Sequence, residues 1–210
     1  MKLIVLIATV FFIFSCNSDY TSKKRGYFKI DFPPREYVQF NDSAFPFSFE
    51  YPKYATIAKD TSYFDSSSSN PYWFNVVFPQ FNGKIYVSYK RIGGKSIYKV
   101  KKDNRYIDSA GINNFENMVA DAYKITFKNQ VKAYSIEDSL MHTPHNLTGV
   151  FFNVTGNVAT ANQFFLSDTT RNFLRGALYF DATPNEDSLQ IVNNFLRQDM
   201  LHMINTLKWR

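Results

Sequence analysis

Over much of the chain apolar and polar residues alternate, and a period of two predicts strands. Phe45, Phe47, Phe49 and Tyr51 alternate with Pro46, Ser48 and Glu50. A short partner strand is expected at 54–59. A pair at 72–78 and 84–89 is joined through Asn82-Gly83, a turn dipeptide. Over 113–127 the period lengthens: Phe115, Met118, Val119, Ala122 and Ile125 fall at helical spacing, with Asp108 or Asn113 available as the cap. Four more strand-like runs follow at 131–136, 150–155, 163–166 and 173–180. Gly156-Asn157 suits the turn between the second and third of these, and 169–172 the turn between the third and fourth. The chain closes on a long helix after Asn185, its expected N-cap. Glu186 and Asp187 lie in its first turn, where the helix dipole favours negative charge. Leu189, Val192, Leu196, Met200, Met203 and Leu207 form its apolar stripe, flanked by Phe195 and Ile204.

Strands, a helix, a meander of strands and a final helix make the order of an α+β domain, an antiparallel sheet covered by helices. That order, with its C-terminal helix, resembles the Mog1/PsbP-like fold, and a shared order of elements carries no function with it.

The first sixteen residues follow another pattern. Lys2 precedes an apolar run at 3–14 in which Thr9 is the only polar residue. Twelve helical residues span about 18 Å against a hydrocarbon core of roughly 30 Å, so the run reads as the core of a signal peptide and not as a membrane span. It ends in Ile13-Phe14-Ser15-Cys16, which resembles the lipobox of bacterial lipoproteins, although Phe14 departs from the small residue common there. The resemblance implies that Cys16 is lipidated: a diacylglyceryl group on Sγ, then acylation of the α-amine freed by cleavage. Each buried acyl CH₂ contributes about 0.8 kcal/mol, and two or three chains make such an anchor stable. The expected organisation is a signal peptide at 1–15, a lipidated tether and extended arm at 16–44, and a single α+β domain at 45–210. Pro33-Pro34 keeps the arm out of any central strand. Asn17, where an Asp would imply retention at the inner membrane, implies by the same resemblance the outer membrane, with the domain facing the periplasm.

Composition bounds the rest. A chain of 210 residues with 45% apolar content has the material for one well-filled core, which excludes wholesale disorder. A lone cysteine excludes an internal disulfide and any thiolate-rich metal or cluster site. The net charge of +6 falls by one when Lys2 leaves with the signal peptide. Basic balance alone does not indicate nucleic acid, because clustering on one face decides. The basic and aromatic stretches at 84–91 and 95–102 read as the solvated face of an edge hairpin, and an exported protein meets no nucleic acid. Phe (22) and Tyr (14) are abundant, as are Lys, Asn and Ile, a bias that an AT-rich genome also produces, so the count alone does not mark a binding surface.

A search for chemistry leaves little. His142, His145 and His202 are the only histidines, and Pro144 prevents helical presentation of the first two, so no metal site is expected. No Gly-x-Ser-x-Gly elbow or phosphate-binding loop is present, and Gly93-Gly94 reads as a hairpin turn. No catalytic residue and no cofactor is expected. One constellation stands out: Asn162-Gln163, Asp168, Arg175 and Asp181 lie on adjacent expected strands. Arg175 interrupts an apolar run, where a charge must be paired or face solvent. A buried ion pair with Asp168 or Glu50 is the preferred reading, and a ligand-binding guanidinium the alternative.

Several phrases, in order, are similar to the gliding-motility lipoprotein D (GldD) family. They are Gly26-Tyr-Phe-Lys-Ile-Asp-Phe-Pro33, Phe45-Pro-Phe-Ser-Phe-Glu-Tyr-Pro52, Trp73-Phe-Asn75, Tyr86-Val-Ser-Tyr-Lys90, Gly156-Asn157 with Asn162-Gln-Phe164, Phe173-Leu-Arg-Gly-Ala-Leu-Tyr-Phe180, Pro184-Asn185 and Asp199-Met200. The resemblance runs from the lipobox to Trp209. It implies an outer-membrane-associated, non-catalytic lipoprotein needed for gliding, in machinery that overlaps with type IX secretion. Its implied partners are other gliding and secretion proteins of the envelope, with no small-molecule substrate. The alternative is a periplasmic carrier of a small ligand or lipid. The resemblance also implies cysteines near the positions of Ala44 and Tyr72, which this chain lacks.

Overall fold

The computed structural model describes residues 29–59, 72–102 and 105–210. The expected signal peptide, Cys16, the tether up to residue 28 and the serine run at 66–69 lie outside the described residues. Phe32–Arg210 forms one compact unit.

Pro33-Pro34 delays the first strand, β1 (Tyr37–Phe40), which pairs with β2 (Phe47–Pro52). The alternating run at 45–51 thus makes a strand as its period predicts. β3 (Thr56–Lys59), β4 (Phe74–Phe78) and β5 (Gly83–Arg91) form a meander. Asn82 takes the left-handed conformation (φ 47°) that the Asn-Gly turn requires. Gly93 (φ 75°) then swings the chain out of the sheet into a separate hairpin of β6 (Lys95–Lys102) and β7 (Arg105–Ile112). Gly93-Gly94 is therefore not itself a hairpin turn. It makes the neck of one, where Gly93 N donates to Asn113 O and Asn113 N to Gly94 O.

Helix α1 (Phe115–Phe127) is capped one residue after Asn113, and Asp108, the other expected cap, lies within β7. Asn114 accepts from Glu116 N and Asn117 N, while Asn113 is engaged in the hairpin neck. After it come β8 (Ala133–His142), β9 (Thr148–Gly156), β10 (Asn162–Ser167) and β11 (Asn172–Phe180). β8 runs six residues beyond the expected 131–136. β8 is an edge strand, and in its second half four exposed residues in a row, Glu137 to Leu140, break the alternation. Helix α2 (Glu186–Thr206) is capped by Asn185, which accepts from Ser188 N, and β12 (Lys208–Trp209) ends the fold against β2.

The main sheet is antiparallel, in the order β3-β4-β5-β11-β10-β9-β8, and β1-β2-β12 form a second small sheet. The fold is α+β, as its element order predicts. The strand register puts Phe74, Val76, Ile85, Val87, Leu174, Leu178, Phe164, Leu166 and Phe151 on one face. Val192, Leu196, Met200 and Met203 of α2 and Phe47 and Phe49 of β2 cover that face as the main core. Leu196 and Met200 are fully buried, each contributing about 1.5–3 kcal/mol. Residues of opposite parity, Val150, Phe152, Phe165 and Phe173, form a smaller core under Met118 and Ala122 of α1. The two helices lie on opposite faces. α1 packs on β9, β10 and β11 and reaches β8 through Tyr123, whose hydroxyl donates to Asp138 at 2.9 Å, while the β5 side of its face is uncovered. No helix among the described residues is long and apolar enough to cross a membrane.

Candidate functional site

That uncovered strip is a groove of about 310 Å³ along one flank of α1. Tyr86, Ser88 and Lys90 of β5 and Phe173 and Arg175 of β11 line its floor. Met118, Asp121, Ala122 and Ile125 of α1 make one wall, and Trp73, just before β4, lies at the other side. Arg175 is opposite Ser88 on β5 and Phe165 on β10. Its Nη2 donates to Gln163 Oε1 at 2.6 Å, and Gln163 is 1% exposed. Buried Thr126, near the end of α1, donates to Ala122 O at 2.9 Å and to Gln163 Oε1 at 3.4 Å, so the amide is held from both elements. Burial pulls the guanidinium down from its ordinary value, with nearby Tyr179 opposing. Three buried polar atoms around this face have no hydrogen-bond partner among the described residues: Trp73 Nε1, Asn75 Oδ1 and Gln163 Nε2.

The structure does not bring Arg175 to Asp168 or to Glu50. Asp168 belongs to the β10–β11 turn, where its carboxylate accepts from Thr170 N, Arg171 N, Asn172 N and Asn172 Nδ2. Burial raises this carboxyl, but those hydrogen bonds outweigh it and hold Asp168 below the usual carboxylate range. Glu50 meets His202 Nε2 at 2.7 Å on the other face of the molecule's main sheet. Of the polar constellation expected around Arg175, only Gln163 touches it. Asp181 is exposed, and its N–H donates to Asn82 O. His142 ends β8 and His145 lies within the β8–β9 turn, which Thr143 organises by accepting from His145 N and Leu147 N. No cluster of three or more metal-ligating side chains exists among the described residues.

Sequence reasoning passed over a second cluster. Asp199 is 1% exposed on α2, within the helix's apolar stripe. It accepts from Tyr37 Oη at 2.9 Å and from Tyr54 Oη, and pairs with Arg35 Nε at 3.4 Å. The Arg35 guanidinium also lies 4.4 Å from the Phe195 ring centroid and donates to Phe195 O. Tyr37 stacks on His202 at 3.6 Å. The signal was an acid at a buried helical phase, legible once the stripe is extended from Phe195 to Met203. Near the positions where the family resemblance implies cysteines, Phe45 and Tyr72 meet edge to face at 6.1 Å instead.

Fold and site together define a two-faced α+β sheet protein, closed by a helix on one side and grooved beside a shorter helix on the other. The family model for the gliding motility lipoprotein GldD matches residues 17–209, nearly the whole chain, and the chain belongs to that family. It is therefore a lipoprotein of a gliding-motility family. No curated protein matches it. Among solved structures it is similar to cyanobacterial PsbP from Synechocystis sp. PCC 6803, at 8% identity and a TM-score of 0.43, over 90% of this chain and 98% of that one. A likeness so distant bears on neither function nor the finer topology.

Proposed function

We propose that the chain is a non-catalytic accessory of gliding, lipidated at Cys16 and held at the periplasmic side of the outer membrane. There it supports the type IX secretion machinery through contacts with other envelope proteins. Family membership over 17–209 carries this reading. Residues 16–31 give the anchored chain its reach, and the unit from Phe32 onward presents the contact surface.

The outer edge of β8 is the surface that best fits such a contact. Natural edge strands are commonly blunted by charges, Pro or bulges; β8 has no Lys or Pro in ten residues, its bulge lies at its start between Ala133 and Ser135, and its only charges are Glu137 and Asp138. Leu140 and Tyr134 along it are 83% and 78% exposed. A second copy added antiparallel would bring Glu137 and Asp138 of the two chains together, so the edge suits an extended segment of another protein with basic residues at its middle.

Replacing the chromosomal copy with Cys16→Ser is expected to abolish colony spreading while the protein still accumulates. Normal spreading and secretion by that strain would overturn the anchored reading.

A further inference from the structure

Arg175 and Lys90 lie on adjacent strands, on the same face and diagonal across the β5–β11 ladder. Neither has an ion-pair partner among the described residues, and Asp121 on the groove rim pairs with neither. Among the described residues the only hydrogen bond of the Arg175 guanidinium goes to the neutral amide of Gln163. A guanidinium presents five donors in a rigid fork, so most of its capacity is unused on the protein side. Because Gln163 is buried and itself held by Thr126, it fixes one edge of the fork and leaves the rest to the groove. Around this charge Met118, Ile125, Phe173 and the Trp73 ring supply apolar surface, and the exposed Asp121 stands at the rim of the α1 wall.

From this geometry we propose that the groove binds a small organic monocarboxylate with an apolar or aromatic body. Arg175 and Lys90 take its carboxylate, and its body lies against Met118, Ile125 and Trp73. A planar carboxylate matches the guanidinium fork in two parallel hydrogen bonds. A phosphate fits less well, because the middle of α1, not an N-terminus with free N–H groups, faces the groove, and Asp121 adds negative charge at the rim. The volume of about 310 Å³ lies at the lower end of small-molecule pockets, so the body is short. The proposal stands independently of the gliding role: a ligand could bind whether or not β8 docks a partner.

Calorimetric titration of the full chain tests it, with 3-phenylpropionate as the probe. The uncharged amide of that acid, inorganic phosphate and acetyl-Ala-Phe with a free carboxylate serve as the other arms. Saturable one-to-one binding of phenylpropionate is expected, without binding of the amide or of phosphate. Arg175→Gln should weaken it about tenfold or more, as loss of a charge-assisted pair does. Lys90→Gln should weaken it several-fold, and Ile125→Trp should block the wall. The last two positions are both partly open to solvent, so these variants should melt like the wild type and keep the test meaningful if Arg175→Gln fails to fold. No saturable binding of phenylpropionate, equal binding of its amide, or undiminished binding by the Lys90 and Ile125 variants would each overturn the proposal. Binding of the peptide acid alone would assign the groove to chain ends and overturn the small-acid reading.

Discussion

Asp199 occupies a helical phase that an apolar stripe would otherwise fill, and three groups from the first part of the chain satisfy it. Such a carboxylate costs stability unless it is paired and hydrogen-bonded, and here it ties the segment before β4 to α2. Burial first, then the hydrogen bond to Asp199, push Tyr37 up to about 12, and the same causes push Tyr54 further. Both phenols have a folded-state value above the unfolded value of about 10, so their contribution is complete below that pH and is lost as pH rises toward 12. The urea midpoint should therefore fall steeply between about pH 10 and 12. It should fall less in Tyr37→Phe/Tyr54→Phe, and equal slopes in the two proteins would remove the phenols from the account. A second residue-scale effect belongs to Gly149. A Cβ there would lie 1.9 Å from the carbonyl oxygen of Phe165 on the paired strand, and backbone cannot step aside as a side-chain tip can. Gly149→Ala should cost about 3 kcal/mol or more in urea unfolding, well above an ordinary overpacking substitution.

At the scale of elements, periodicity was informative where burial is one-sided. α2, with Asn185 as its cap and Leu196 and Met200 inside, is legible because one stripe faces one core. β5 is legible because alternate residues are buried, and β2 because its apolar residues alternate with polar ones in the sequence, although Ser48 is buried along with Phe47 and Phe49. The period of β8 stops at Ile136 because past it the residues are mostly exposed, so no burial pattern marks the rest of the strand. β7 was missed for a related reason. It pairs only with β6 in a two-stranded sheet, and Tyr106, Ile107 and Ile112 on it are exposed rather than packed. β12 is two residues long, too short for any period. The exposed edge of β8 has its own prediction. Leu140→Lys should leave the melting temperature nearly unchanged, because the side chain is 83% exposed, yet reduce crosslinking to envelope partners by blunting the edge. Unaltered crosslinking by a stably folded Leu140→Lys would move the contact elsewhere.

For the whole molecule, element order was enough to place the chain among antiparallel sheets covered by helices, but it could not say which helix covers which face. That depends on strand register, and a shift of one residue exchanges the faces. The groove follows from such a detail. α1 lies over β9 to β11, so Arg175 meets Gln163 and an open strip, not the acids that sequence proximity suggested. Asp168 is not available to Arg175 because an Asx-type turn satisfies its carboxylate locally, which spacing alone does not reveal. The clamp at Asp199 also has a mechanical side. Tension applied to the chain ahead of Phe32 reaches α2 before it reaches a sheet. It is met first by Phe32 stacked on Phe195 at 4.3 Å, then by Arg35 and Tyr37 on Asp199, and only afterwards by the four residue pairs of β1 with β2. A tug from that end is thus shared with a 21-residue helix buried along one side, instead of peeling a short edge strand one rung at a time.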